Sequence, residues 1–493
     1  MTDPGQASIR TPIRTFVCLL FLLKVTATTG AGIELDDCLL QDASGLRAVP
    51  ARCGMLSVPE DPSAADGPRI SLRIAVIPAL NGSGTGEAFT ALAGGPGAAA
   101  TEFYAAYAQA FAYIHRDMDI MLVDQRGTGG SASLDCPVPQ ALDLDADPAT
   151  VRTLSQSCLE SLGRDPAPFT TSLAVQDLDA VRDGLGYSGL HLYGGSYGSR
   201  VALHYLRRFP DHARSLILDG VVPPGLALGP DIAVNAQQAL DRIFARCAAD
   251  AECERRFPRL AARFSALRTR IASHAEMVAL PHPVSGAITE LKFGGPALAT
   301  AVRLLSYNDH GVSLLPLLID SAADGRLDPL AAQTLMAMEN LGEAMSAGMH
   351  NSVVCSEDLP FVEMTPARWQ TLDDTYLGRA PMEGLQAVCS IWPSGPVDPD
   401  FHDPVVSDQP VLLLSGSEDP ATPPRYAEQA GAGLGLSRHL VVEGQGHGVA
   451  ALGCMPRLLA EFVRSGDPAA IDASCVTRIA PAPLFLDFGG PGP

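Results

Sequence analysis

Positive charge is scarce in this chain. Lysine and arginine number 34 against 55 aspartates and glutamates, which leaves a formal net charge of −21. A balance of that sign repels polyanions, so nucleic acid and anionic membrane are excluded as principal partners. Charged residues of both signs make up only 18% of 493 residues while hydrophobic ones make up 47%. That excludes a disordered chain and leaves a globular one, long enough for two or three domains around a large core. Beyond residue 23 no apolar run reads as transmembrane. No C-x-x-C pair or histidine-rich cluster has zinc spacing, so no metal is expected, and no motif calls for another cofactor. Internal repeats are absent as well.

The one marked apolar run lies at the start. Arg10 and Arg14 precede "FVCLLFLL" at 16–23, and the small residues of "VTATTGAG" follow. This is the layout of a secretory signal, expected over 1–31 with cleavage after Ala27 or Ala31, and too short for stable membrane insertion. A secreted or periplasmic location is the expectation. Cysteine usage agrees with it. With Cys18 removed, ten remain: Cys38, Cys53, Cys136, Cys158, Cys247, Cys253, Cys355, Cys389, Cys454 and Cys475. An even count in an exported chain points to disulfides. The ten fall as five local pairs, so nearest-neighbour pairing is expected: 38–53, 136–158, 247–253, 355–389 and 454–475. Asn81-Gly82-Ser83 is formally a glycosylation sequon but reads as a turn.

The run 70–79 alternates Ile70, Leu72, Ile74 and Val76 as a half-buried strand should, and apolar runs before a Gly- or Asp-rich end recur at 88–97, 119–127, 189–195, 215–222, 410–419 and 439–447. Strands apolar on both faces suit a parallel sheet covered by helices. Helical patterns separate them. Leu173, Ala174, Val175, Leu178, Val181 and Leu185 form one stripe, and Val201, Ala202, Tyr205, Leu206 and Phe209 another, ended by Pro210. The alternation predicts a doubly wound α/β domain. It breaks between about Pro224 and Pro410, where helical stretches such as 235–248 and 328–345 suggest an insertion. The expected organisation is a core over 32–225, a mainly helical cap over 226–405, a second core part over 406–480 and an unstructured tail over 481–493.

One strand end carries "YGGSYGS". Gly194 and Gly198 around Ser196 match G-x-S-x-G, a motif weak by itself in so glycine-rich a chain. Between a strand and a helix it gains a mechanism. The glycines allow a sharp turn that presents the Ser196 hydroxyl at a helix N-terminus, where the Tyr197 N–H favours an oxyanion. A nucleophilic serine needs a base oriented by an acid, in the chain order Ser, Asp/Glu, His on this fold. Glu418 and Asp419 end one later apolar run and His447 ends the next, flanked by glycines. Asp419 is preferred over Glu418 because Asp-Pro favours turn entry. "AGGPG" at 93–97 fits the second oxyanion donor. Pro96 has no N–H, so the donor is Gly95 or Gly97.

These motifs carry a resemblance. "LAGGPG", "VDQRGTGGSASLDC", "YGGSYGSRVALHYLRRFPDHARSLILDGVVPP", "LLLSGSEDPATPP" and "GQGHG" occur in the order found in exported bacterial α/β-hydrolases. The chain resembles their tripeptidyl aminopeptidase and prolyl aminopeptidase group of serine peptidases, over roughly 50–225 and 405–475. The resemblance implies an α/β-hydrolase fold with Ser196 as nucleophile, Asp419 as acid and His447 as general base. The D-x-x-T-P pattern of 419–423 settles the acid. It implies Gly95 beside Tyr197 in the oxyanion hole, and Arg126 as a buttress of the Gly95 loop. Relatives bind the free ammonium of a peptide with carboxylates near the cap, which puts Glu357 or Asp358 of "VVCSEDLP" in that role. Where the prolyl enzymes place a histidine before the glycines this chain has Ala93, which leans it towards longer peptides or esters. The expected substrate is therefore a peptide or small ester, the activity that of an aminopeptidase. The rivals are a carboxylesterase on the same triad and a catalytically silent binding protein.

Overall fold

The computed structural model describes residues 1, 33–64, 66–82, 86–136, 147–283 and 285–491. The expected leader lies, apart from Met1, outside the described residues.

Eleven strands are described. Nine form one sheet: β1 (Asp36–Gln41), β2 (Ala48–Pro59), β3 (Arg69–Ile77), β4 (Ala88–Leu92), β5 (Asp119–Val123), β6 (Leu190–Gly195), β7 (Ala213–Asp219), β10 (Val411–Gly416) and β11 (Ser437–Val442). The spatial order is β1-β2-β3-β5-β4-β6-β7-β10-β11. Pairing is antiparallel from β1 to β5 and parallel from β5 onward. The seven apolar runs read from the sequence are β3, β4, β5, β6, β7, β10 and β11. The hairpin β1–β2, closed by the disulfide Cys38–Cys53, was not legible because its pattern is mostly exposed.

Side chains of the parallel strands alternate between two cores. Leu192, Leu216 and Leu413 point to one, with Val175 and Val201 from the helices Thr171–Gly184 and Tyr197–Arg208. Tyr193, Ile217, Leu412 and Leu414 point to the other, with Phe111 and with Leu458 and Phe462 from the helix Met455–Ser465. Burial on both faces is why these strands read as unbroken apolar runs. The chain is an α/β hydrolase by fold, mostly parallel and covered by helices on both faces.

Between residues 226 and 405 the chain builds its own apolar cluster, in which Leu240, Phe264, Leu298, Leu315 and Leu330 meet. Helices dominate there, among them Pro230–Ala249, Leu260–Ser273, Gly295–Leu305, Asp309–Ala323 and Asp328–Ala344. An antiparallel hairpin, β8 (Glu276–Pro281) with β9 (Ile288–Phe293), interrupts them. The tail is not loose. Among its described residues it has no strand or helix beyond 481, yet Leu484 is buried in that same cluster, and Phe485 N–H donates to the Ser313 carbonyl at 2.9 Å. The ten cysteines form five disulfides, each between sequence neighbours: 38–53, 136–158, 247–253, 355–389 and 454–475.

Candidate active site

Ser196 follows β6 with φ 53° and ψ −125°, a left-handed conformation that a non-glycine residue holds only when its surroundings dictate it. They do so here through close backbone approach. A Cβ on Gly194 would lie 2.3 Å from the Gly198 carbonyl oxygen, and one on Gly198 would lie 2.2 Å from that of Leu92. Strand β6, the following helix and the end of β4 thus meet where no side chain fits. The Ser196 N–H donates to the Asp219 carbonyl at 2.8 Å, and Ser199 N–H donates back to Ser196 at 2.9 Å to start the helix. Tyr197 N–H lies in the first turn of that helix, where N–H groups have no intrahelical acceptor.

His447 and Asp419 come from the loops after β11 and β10. His447 Nδ1 lies 2.8 Å from Asp419 Oδ2. Asp419 is fully buried, and its other oxygen accepts the Ala421 and Thr422 N–H groups at 2.8 Å each. The Thr422 hydroxyl donates to Oδ2, also at 2.8 Å. Burial pushes the Asp419 carboxyl up, but the charge and hydrogen bond of His447, with the two N–H donors, outweigh it and hold it below the ordinary range. Burial likewise pushes His447 down, and the facing Asp419 carboxylate outweighs it, so the imidazole sits above its ordinary value. Glu418, the alternative acid, turns to Arg246 at 3.3 Å instead.

Asp219, at the end of β7, joins the two halves. Its carbonyl holds Ser196, and its carboxylate accepts Val449 N–H at 3.0 Å and Ala450 N–H at 2.9 Å, just past His447. Next to it, a Cβ on Gly220 would lie 2.9 Å from His447 Cε1, so the imidazole rests on that glycine. Tyr307 closes the other side. Its carbonyl accepts the His447 N–H at 2.7 Å, and its ring stands edge-on to the imidazole at 5.4 Å.

The loop 94–97 borders Ser196. A Cβ on Gly94 would fall 3.0 Å from Ser196 Cβ and 3.7 Å from its Oγ. Gly95 and Gly97 have φ of 110° and 117°, which glycine alone adopts freely. Ser346 N–H donates to the Gly97 carbonyl at 2.9 Å, and a Cβ on Gly95 would touch Met345 Sδ at 3.5 Å. The inserted segment therefore lies against this loop. Arg126 does not reach it. Its guanidinium pairs with Asp177 at 2.7 and 2.8 Å and donates to the Glu60 and Pro168 carbonyls. Asp124, two residues earlier, accepts from Thr101 N–H at 2.9 Å, four residues past the loop, and from Gly130 N–H at 3.1 Å. Neighbouring Gln125 donates to the Tyr197 hydroxyl at 2.9 Å.

Glu357 and Asp358 lie in a π-helical turn, Val354–Asp358, and both are buried. Asp358 is committed to Arg200 Nη1 and to the Leu228 N–H, each at 2.9 Å. Glu357 has no such cation in contact among the described residues. Its oxygens accept from the N–H and hydroxyl of Thr171, whose Oγ1 also lies 2.5 Å from the Tyr197 hydroxyl. Burial raises the Glu357 carboxyl to about 7. The motifs did not disclose Asp219, Thr171 or Tyr307. Asp219 ends an apolar run in "LILDG" and is visible in hindsight, whereas nothing around Tyr307 marks it.

Two family models match the chain, one described as alpha/beta hydrolase fold over residues 92–291 and one as TAP-like protein over 374–475. The tripeptidyl aminopeptidase of Streptomyces coelicolor is 26% identical, covering 92% of this chain and 87% of the relative. The serine protease Hip1 of Mycobacterium tuberculosis is 25% identical, covering 86% and 87%. A protein named carboxylesterase B from the same species is 31% identical over 209 residues, 38% of this chain and 39% of the relative. The chain has the α/β hydrolase fold. It is a serine hydrolase, similar along most of its length to proteins named tripeptidyl aminopeptidase and serine protease.

Proposed function

We propose that this chain is an exported aminopeptidase that releases short peptides from free N-termini through an acyl-enzyme on Ser196. The observation that carries the reading is the pairing of His447 Nδ1 with a buried Asp419 at 2.8 Å, beside Gly220, whose neighbour Asp219 holds the Ser196 backbone. Occupying Nδ1 fixes the tautomer and leaves Nε2 to take the Ser196 proton. Ser196 Oγ attacks the scissile carbonyl as His447 accepts that proton. The Gly95 and Tyr197 N–H groups receive the oxyanion. His447 then gives the proton to the leaving amine, and water, deprotonated by the same imidazole, resolves the acyl-enzyme. Asp419 stays ionised and stabilises the imidazolium.

The segment 226–405 acts as the cap in this reading, with 32–225 and 406–480 as the core. Of the two candidate carboxylates, Glu357 takes the substrate ammonium, because Asp358 already has Arg200 as its counter-charge. Five disulfides support an oxidising, exported setting. An esterase on the same triad is the second reading, favoured by the 31% identity to a carboxylesterase over 209 residues.

A matched hydrolysis panel separates the two. It compares free and N-blocked tripeptide anilides with short acyl esters, using wild type and Ser196→Ala. Turnover of free-amine tripeptides that is lost on blocking and lost in the variant is the expected result. Serine-dependent turnover of esters alone overturns the aminopeptidase reading.

A further inference from the structure

One arginine facing the site has no counter-charge among the described residues. Arg303, near the end of the helix Gly295–Leu305, donates from Nη2 to the Tyr307 hydroxyl at 2.9 Å, with its guanidinium carbon 5.6 Å from that ring's centroid. Tyr307 is the residue whose carbonyl and ring edge hold His447. Its charge opposes protonation of His447 and of His350 and reaches Tyr376. Among the described residues no carboxylate lies within ion-pair distance of it. The side chain is only partly exposed, and the nearby Tyr376 hydroxyl is buried with no hydrogen-bond partner among the described residues. A half-buried guanidinium without an anion is costly to keep, and here it persists in a chain with 55 acidic residues against 34 basic ones.

The direction of catalysis says which part of a substrate comes there. The imidazole that protonates a leaving group must have that group on its own side. The leaving fragment therefore extends from His447 towards Tyr307. We propose that Arg303 receives a carboxylate on the leaving fragment, so that the enzyme prefers short peptides whose released part ends close to the cut. Two ring contacts of 5.4 and 5.6 Å separate His447 from the guanidinium. Extended chain covers that distance in about one to three residues at roughly 3.3–3.6 Å each. The fork of N–H donors suits a carboxylate bound through both oxygens. This inference rests on the aminopeptidase reading for the nature of the substrate, though not for the charge it carries.

The test measures kcat and KM for free-amine tetrapeptides ending in an α-carboxylate and for the same peptides ending in a carboxamide. The expected preference in kcat/KM is about ten- to a hundredfold for the carboxylate, residing mainly in KM. It falls towards one in Arg303→Gln, is partly kept in Arg303→Lys, and fades when the released part exceeds three residues. A carboxamide peptide with aspartate as the released residue distinguishes a side-chain carboxylate from a terminal one. A wild-type ratio near one overturns the proposal without recourse to any variant, as does a ratio that survives in a folded Arg303→Gln. If no peptide is cleaved, the aminopeptidase reading has failed. The same ratio is then measured on acyl esters of lactate and of lactamide, where a carboxylate preference lost in Arg303→Gln sustains the role of Arg303 and its absence overturns it.

Discussion

Asp219 holds Ser196 by its carbonyl, at 2.8 Å from the serine N–H, while its carboxylate holds the backbone of Val449 and Ala450 just past His447. One residue at the end of β7 thereby sets the distance between the nucleophile's strand and the base's loop. Burial raises the Asp219 carboxyl, and the Val449 and Ala450 N–H groups, the Tyr193 hydroxyl and His447 act against that shift. Asp219→Ala leaves two N–H groups and the Tyr193 hydroxyl without their acceptor. The expected cost is about 2–4 kcal/mol of stability, and a tenfold or larger fall in kcat as His447 loses its position. Denaturant melts and steady-state kinetics on the purified variant check both numbers.

The Asp419–His447 pair fixes the pH dependence. The Asp419 carboxylate stabilises the imidazolium, so His447 titrates above its ordinary 6.5, and the base is active only in its neutral form. Activity therefore rises with pH through an inflection above 6.5. Asp419→Asn removes the charge that raises this value and presents an amide that favours the wrong tautomer. The inflection moves down, and kcat falls by about 10³–10⁴. A kcat/KM profile from pH 5 to 9 for both proteins reads the two effects.

Glu357 makes a prediction of the opposite kind, about stability. Its folded-state value is about 7 against an ordinary 4.5, so it favours folding in its protonated form. That contribution is complete below 4.5 and is lost as pH rises through 7. Glu357→Gln cannot titrate and keeps an acceptor for Thr171. Its stability relative to wild type should increase by about 3 kcal/mol between pH 4 and pH 8, at 1.36 kcal/mol per unit. The same variant should lose selectivity for free over N-acetylated substrates by tenfold or more. Melts across pH and the paired substrates test the two roles separately.

The disulfide Cys355–Cys389 ties the π-helical turn of Glu357 to the helix Ala380–Cys389, closing a separation of 34 residues. Replacing both cysteines by serine is expected to cost about 2–4 kcal/mol of stability. Because Cys355 lies two residues before Glu357, the double variant should also weaken free-amine selectivity more than ester hydrolysis. An equal loss on both substrate types argues that the bridge serves the fold alone.

Legibility in the sequence followed burial. Strands β4, β6, β7 and β10 are apolar on both faces, and their loop ends carry Gly95, Ser196 and Asp419, so fold and candidate site were visible together. The antiparallel β1–β2 and β8–β9 pairs are half exposed and left no such signature. The resemblance misassigned Arg126, which serves Asp177 and not the Gly95 loop. Tyr307 and Arg303 were invisible for another reason. They come from the inserted segment, and only the fold brings them to His447.

Chemical marking of the nucleophile tests the central claim most directly. The purified protein is treated with a fluorophosphonate, and the adduct is located by peptide mass spectrometry, in wild type and in Ser196→Ala. A single adduct on Ser196, absent from the variant and slowed in His447→Ala, is the predicted result. An unlabelled wild type, or an adduct on another residue that persists in Ser196→Ala, contradicts the assignment of Ser196 as the attacking group.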